Sequence, residues 1–403
     1  MNVLHVSFSS RGGAGVAASR IAAAQRMAGI EAETLFQSDG TATTIAFRSP
    51  LQFVGATVDY FLVRRSLRNP LFSLLRRSGS LDHMVGRSGA DVVHLHWIPG
   101  SVSLDHVETR LESGGRVAFT LHDMWQFTGG CHHRLLCENI SQGCVGCPQA
   151  RRVFAPTIAS SAARKQRILS HPLVSISAPS KWMAAELASA VPGLSRVAVI
   201  PNPVDTELFY PKPTAGAGEE FVIAICASDL SVPTKQVADF AQHVRRNRSK
   251  FGKPVRLLAI GQRLPSELSD FEWVTHVQPK SERQLADLLA MSDLLVSASL
   301  VESFGYTIAE AAACGTPSVV LNGGAAAELV EPARSGKIAQ TLDELLRILV
   351  ELSHTPDQIY DMGVMARASA KKYLGYKTVA DQFDALYQGE ATERYSPEPP
   401  SSD

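Results

Sequence analysis

Short β-rich apolar runs alternate with longer helix-like segments along most of the chain, and this alternation constrains the fold more than any other feature. In the first half the runs are Val3 to Phe8, Ala32 to Phe36, Val92 to His96, Val117 to Leu121, Val174 to Ala178 and Val197 to Ile200. In the second half they are Phe221 to Cys226, Val255 to Ile260, Trp273 to His276, Leu294 to Ser297 and Ser318 to Leu321. Helical spacing fills the gaps, as in Gly15 to Met27, Lys181 to Ala190, Lys235 to Arg246, Ser281 to Met291, Thr307 to Ala313 and Leu342 to Leu352. Such an order predicts α/β layers with parallel strands. Two similar sheets, one per half, suit the 403 residues better than one very large sheet.

The break between the halves is expected from Pro201-Asn202-Pro203-Val204-Asp205 to Pro211-Lys212-Pro213-Thr214-Ala215-Gly216, because proline fixes φ and stops a ladder. Residues 1–205 and 206–388 are therefore the two predicted domains. The segment 389–403, rich in proline, serine and charge, is expected to be a disordered tail.

Composition narrows the function. With 39 Lys+Arg against 39 Asp+Glu there is no basic surplus to meet a polyanion, which argues against a nucleic-acid partner. A phosphate, if bound, must be met by local groups. A 45% hydrophobic and 19% charged chain is not globally disordered. The start, MNVLHVSFSSRGGAG, lacks a basic region followed by a long apolar run, and no stretch approaches the roughly 18 to 20 apolar residues of a membrane span. Six cysteines are too few for a disulfide scaffold. These features place the chain in a reducing cytoplasm.

Two strand-to-helix turns carry candidate chemistry. After Val3 to Phe8 comes Ser9-Ser10-Arg11-Gly12-Gly13-Ala14-Gly15, where glycines such as Gly13 let backbone amides approach a bound group; a plain turn is the alternative. No full G-x-G-x-x-G is present, which argues against a nicotinamide enzyme. The sharper turn is Glu302-Ser303-Phe304-Gly305-Tyr306-Thr307-Ile308-Ala309-Glu310, after the run Leu294 to Ser297. Its position at a helix start offers the Ser303 to Thr307 amides to an anion, and two carboxylates can each accept from a vicinal diol.

The Glu302/Glu310 pair, continued by Ala311-Ala312-Ala313-Cys314-Gly315-Thr316-Pro317, resembles the retaining family-4 glycosyltransferases of GT-B architecture. Further matches are Ser177-Ala178-Pro179-Ser180-Lys181-Trp182, Pro201-Asn202-Pro203-Val204-Asp205 with Phe209, His94-Leu95-His96-Trp97 and Leu121-His122-Asp123-Met124-Trp125. Together with a cysteine cluster they resemble the polysaccharide-building branch related to colanic acid transferases. The resemblance implies two facing Rossmann-like domains with an interdomain cleft. It also implies transfer of a hexose or N-acetylhexosamine from a nucleoside-diphosphate sugar to an acceptor hydroxyl, with retention.

By the same resemblance, Glu310 holds the donor ribose, Glu302 the hydroxyls of the transferred sugar, and the Ser303, Phe304, Gly305, Tyr306 and Thr307 segment the diphosphate. Lys235 matches the phosphate lysine. The arginine usual a few residues earlier is absent, with Ser228-Asp229-Leu230 in its place, and Arg263 is the candidate replacement; a plain surface arginine is the other reading. His122 matches an active-site histidine that touches the sugar or its departing phosphate, Asp123 either orients it or caps a helix, and His94 and His96 share one face of their strand, where they either line the cleft or, as is expected of His94, pack inside. The resemblance favours same-face displacement in which the leaving phosphate takes the acceptor proton, with no catalytic cofactor and no protein base. No D-x-D pair for Mg²⁺ stands out.

Cys131, Cys137, Cys144 and Cys147 form C-x5-C-x6-C-x2-C within a glycine-containing loop, a spacing that fits structural zinc; a disulfide pair or free thiols are the other readings. The stretch from Phe47 to Arg77 interleaves aromatic and basic residues, which suits either contact with an anionic bilayer at the inner membrane face or ordinary amphipathic helices. The acceptor is accordingly expected to be a glycan or a lipid-linked molecule, with a small molecule of secondary metabolism as an alternative. A catalytically silent binding protein is the reading from another class.

Overall fold

The computed structural model describes residues 1–38, 72–73, 81–134, 137–149, 152–194, 196–212, 218–330 and 335–390. The expected membrane-contacting stretch thus lies outside the described residues except for Phe72 and Ser73, as do residues 391–403 of the expected tail.

Apolar runs become two parallel six-stranded sheets. The first comprises β1 (Asn2–Ser9), β2 (Glu31–Ser38), β3 (Val92–Leu95), β4 (Arg116–Thr120), β5 (Val174–Ala178) and β6 (Val197–Val199), in the order β2-β1-β3-β4-β5-β6. The second comprises β7 (Phe221–Asp229), β8 (Val255–Gln262), β9 (Val274–Val277), β10 (Leu294–Ser297), β11 (Ser318–Leu321) and β12 (Gly336–Ala339), in the order β12-β11-β10-β7-β8-β9. Counted from β7, the second order is that of a doubly wound dinucleotide fold. Strand order reverses between β1 and β3 and between β7 and β10, and the general rule puts ligands at the carboxyl ends of strands beside such points. The β1–β3 register sets His5 opposite His94.

The first sheet carries α1 (Gly12–Met27), α2 (Asp82–Gly86), α3 (Leu104–Glu112), α4 (Ala155–Leu169) and α5 (Lys181–Ala190). The second carries α6 (Val237–Asn247), α7 (Glu282–Ala290), α8 (Tyr306–Ala313), α9 (Ala326–Val330), α10 (Leu342–Ser353) and α11 (Pro356–Ser369), and α12 (Tyr376–Gln388) follows. Helix starts follow side-chain chemistry: Ser180, Ser281 and Thr341 each accept from the amide three residues on, at 3.1 Å. At Gly15 a Cβ would stand 2.2 Å from Ser9 O, so glycine is what lets α1 leave β1 so closely.

The chain divides into Met1–Pro201 with the residues from Ala380 onward, and Asn202–Val379. This division differs from the expected 1–205 and 206–388 at both ends. Val204 donates to Leu374 O at 2.8 Å and is fully buried with Phe209 in the second core, so residues 202–209 are packed within the second unit. Conversely, Tyr387 on α12 bonds to Gln25 and His94 and so returns to the first unit. The short β12, Gly-Lys-Ile-Ala, was not expected; one fully buried residue, Ala339, is too weak a periodic signal to reveal a strand.

Candidate active site

In the second unit the reversal between β7 and β10 gathers the predicted donor residues. Pro233 opens a tight turn, Pro233–Lys235, and Gln236 at φ 50° redirects the chain into α6, leaving Lys235 at the carboxyl end of β7. Beyond β10, Leu300 donates to Thr234 O at 2.9 Å, drawing the two loops together. Glu302 then meets Lys235, with Oε1 2.5 Å from Nζ, both side chains partly shielded from water.

The turn after β11 buttresses this carboxylate, since Ala325 N donates to Glu302 O at 2.8 Å and Glu302 N to Gly323 O at 3.2 Å. Asn322-Gly323-Gly324 escaped the sequence reading, although a glycine pair after a strand is a signal of close backbone approach. Gly305, at φ +94°, starts α8 without a side-chain cap. Phe304 is buried against Tyr306, ring centroids 5.3 Å apart, so its side chain anchors the turn while Ser303 and Thr307 stay half-buried. Glu310 is 4% exposed inside α8. It lies near the end of β7: the Cys226 thiol is pushed up, first by burial and then by the Glu310 charge.

Arg263 follows β8 with φ 48° and is 73% exposed; its guanidinium pairs with Asp229 at the end of β7. Thus Lys235 and Glu302 are brought together, while Arg263 contacts neither. The acid in the place of the usual arginine holds the expected substitute.

In the first unit Gly13 lies exposed in the first turn of α1, where an added Cβ would meet nothing within 4 Å. His122 follows β4, and its Nε2 is 2.9 Å from His96 Nδ1. A polar line continues inward: His96 Nε2 to His5 Nδ1 at 3.0 Å and His5 Nε2 to Gln25 Oε1 at 2.7 Å. Gln25 Nε2 reaches the Tyr387 hydroxyl at 3.2 Å, which is 2.6 Å from His94 Nδ1. His94 Nε2 is 2.8 Å from Thr120 Oγ1, itself 2.7 Å from Ser177 Oγ. Burial lowers the pKa of all four histidines, His5 and His122 to about 4 and His94 and His96 well below the ordinary value.

Asp123 neither orients His122 nor caps a regular helix. Its Oδ2 accepts from Trp97 Nε1 at 2.8 Å and pairs with His132 Nδ1 at 2.6 Å, while Oδ1 accepts from Trp125 N at 2.8 Å. Burial opposes its ionisation, yet His132 and these hydrogen bonds prevail and lower its pKa. Ser73 Oγ, 2.9 Å from His132 Nε2, completes a Ser-His-Asp line. The nearby amides are already engaged, Ser73 N with Gly130 O, Gly130 N with Thr128 Oγ1 and Gly129 N with Cys144 Sγ, so they offer no oxyanion site and the trio acts as a clamp.

The arrangement of the four cysteines lends the zinc expectation no support. Among the described residues no three of their sulfurs lie within 4.8 Å of one another, and all are free thiols. Burial, followed by the neighbouring cysteines, raises the pKa of Cys131 to about 12 and that of Cys144 as well. Lys165, also missed in sequence, holds the preceding segment: its buried ammonium donates to Trp125 O at 2.7 Å and Thr128 O at 3.0 Å, and burial lowers its pKa to about 7.

Residues 11–208 match the model described as Glycosyltransferase Family 4, and residues 221–354 match that described as Glycosyl transferases group 1. Each half matches a glycosyltransferase family. Over 201 residues the chain is 31% identical to the MMP alpha-(1->4)-mannosyltransferase of Mycolicibacterium hassiacum, covering 47% of each chain. It is 28% identical over 165 residues to the D-inositol 3-phosphate glycosyltransferase of Gordonia bronchialis, covering 37% of this chain and 36% of that one. The matched regions thus span about half or less of these curated relatives. Among solved structures, Anabaena HepE in complex with UDP-glucose shares the fold at a TM-score of 0.67 and 17% identity, over 96% of this chain and all of that one. The two units are therefore Rossmann-like, with the GT-B fold. Among the described residues no helix is long and apolar enough to cross a membrane.

Proposed function

We propose that the protein is a retaining glycosyltransferase that moves a hexose or N-acetylhexosamine from a nucleoside-diphosphate sugar to a glycan or lipid-linked acceptor. The observation that carries this reading is the Lys235–Glu302 pair beside the start of α8 at Gly305, at the strand-order reversal of the second sheet. A departing diphosphate develops charge as the glycosidic bond breaks, and a fixed ammonium with helix-start amides stabilises it without reorganisation. On donor binding the diphosphate competes for Lys235, releasing Glu302 to accept from sugar hydroxyls, while Glu310 accepts from the ribose. Displacement on one face lets the leaving phosphate take the acceptor proton, so no protein base is assigned. We assign Gly13 and the Ser303 to Thr307 amides to the donor, and Arg263 to the diphosphate once it leaves Asp229.

A second reading, with a small soluble acceptor, is favoured by the similarity to a D-inositol 3-phosphate glycosyltransferase. The test is a thermal-shift screen across nucleoside-diphosphate sugars, followed by donor-hydrolysis and transfer assays with lipid-linked and soluble acceptors. One donor should raise the melting temperature and be turned over. Absence of any shift and any turnover across the donor set would leave only a silent binding protein.

A further inference from the structure

The polar line behind His122 starts from a group that can only accept, and this gives it a direction. Ser177 Oγ donates to Phe119 O at 3.3 Å, so Thr120 must supply the proton between Thr120 and Ser177. Thr120 then accepts from His94 Nε2–H, which leaves His94 Nδ1 bare to accept from the Tyr387 hydroxyl. With its proton used, Tyr387 accepts from Gln25 Nε2, turning Gln25 Oε1 toward His5 Nε2, which donates to it. His5 Nδ1 accepts from His96 Nε2–H, and His96 Nδ1 from His122 Nε2–H. Each ring carries one proton, because burial keeps all four neutral at pH 7. The opposite direction requires Gln25 to flip and forfeits the Ser177 to Phe119 bond.

We propose that this line, tied to the C-terminal helix through Tyr387, holds His122 as its Nε2–H tautomer and leaves Nδ1 as a hydrogen-bond acceptor. Such an atom suits a hydroxyl, and it repels a phosphate oxygen, which needs a donor. His122 is thereby directed to a hydroxyl of the transferred sugar or acceptor rather than to the departing diphosphate. That use rests on the transferase reading; the tautomer does not. Tyr387, Gln25, His5 and His96 are positioning residues. A metal among His5, His94 and His96, whose ligand atoms lie within 4.8 Å, is the competing account. Each of their ring nitrogens already has a protein partner at 3.0 Å or less, so no lone pair is spare for an ion.

The test is long-range proton–nitrogen correlation NMR on the full chain with nitrogen-15 histidine, His122 being assigned by loss of its signals in His122→Asn. Wild type should show a protonated Nε2 and a bare Nδ1 at His122. Ser177→Ala removes the anchor and should populate the opposite tautomer at His122, with kcat for sugar transfer falling about tenfold, the scale of one hydrogen bond. Tyr387→Phe cuts the line near Gln25 and should give a tautomer mixture, which decides the matter if Ser177→Ala does not fold. A protonated Nδ1 in wild type, or an unchanged His122 tautomer in both variants, overturns the proposal. A tautomer that moves without any change in turnover overturns the use of the lone pair but leaves the tautomer assignment standing. A wild type with the expected tautomer and no transfer to any acceptor counts against the transferase reading instead.

Discussion

His5, His94 and His96 lie fully buried among the strands of the first unit, whereas among the described residues no histidine of the second unit is buried, and the second core is filled by residues such as Ile223, Leu257, Leu294 and Val319. In the second unit the partly buried charges sit at the carboxyl end of the sheet, where Lys235 meets Glu302. Placing polar groups inside a sheet is costly unless every one is bonded, which explains why the first unit recruits Gln25, Thr120, Ser177 and Tyr387 to a single line. Charges at a strand end cost less and remain available to a ligand. One unit therefore risks stability for orientation, and the other, with the buried Glu310 as an exception, keeps a mainly apolar interior and holds its chemistry at the strand ends.

The largest consequence is acid lability confined to the first unit. A histidine whose folded pKa is depressed binds its proton more readily when unfolded, so its contribution to stability is complete above about pH 6.5 and is lost as pH falls toward the folded value. His5, with a folded pKa of about 4, accounts for on the order of 3 kcal/mol on full acidification, and the other three histidines act in the same direction. The urea midpoint should fall steeply between pH 6.5 and 4, with hydrogen exchange rising first in β1, β3 and β4. A flat midpoint, or earlier exchange in β7 and β10, would abolish the contrast between the units.

Second in size is the response of the sheet mouth. Lys235→Met keeps an unbranched stem and removes the charge, so donor turnover should drop by roughly a thousandfold, the upper range for one fixed oxyanion donor. Stability should change by less than about 1 kcal/mol, because the pair is open to water on one side. Steady-state kinetics and urea unfolding of the same preparation check both halves of this statement. Retained turnover would move the diphosphate away from Lys235.

The two regions also differ in how legible they were. Glu302, Lys235 and the α8 start are local patterns, each set by a strand end and the few residues after it, and the structure places them at one reversal point. The histidine line is not local: His5 meets His96 across 91 positions, and Gln25 meets Tyr387 across 362. His94 and His96 shared a strand face in the sequence, but nothing there indicated that a glutamine on α1 and a tyrosine on α12 would complete their bonding. Asp123 misled for a geometric reason, since neighbouring residues past a strand end point apart and its carboxylate turns to His132. Cysteine spacing alone does not set ligand geometry: the loop around the turn Asn139–Gln142 leaves no three of the four sulfurs within 4.8 Å of one another.

Arg263 supplies the smallest expected effect and the finest test of the second unit. Its ion pair with Asp229 is mostly exposed on the arginine side, a class of contact that contributes about 0 to 1 kcal/mol, and its φ of 48° is mildly unfavourable for a side-chain-bearing residue. Arg263→Ala should therefore leave the melting temperature within a few degrees of wild type. If the guanidinium leaves Asp229 for a diphosphate, the donor KM should rise several-fold with kcat little changed, because a long, hydrated side chain adds binding more than transition-state stabilisation. Asp229→Asn separates the alternatives: it frees Arg263 from its competitor and should lower the donor KM, whereas an arginine with no part in donor binding would leave KM unchanged in both variants. In that case Lys235 and the α8 start meet the diphosphate without it.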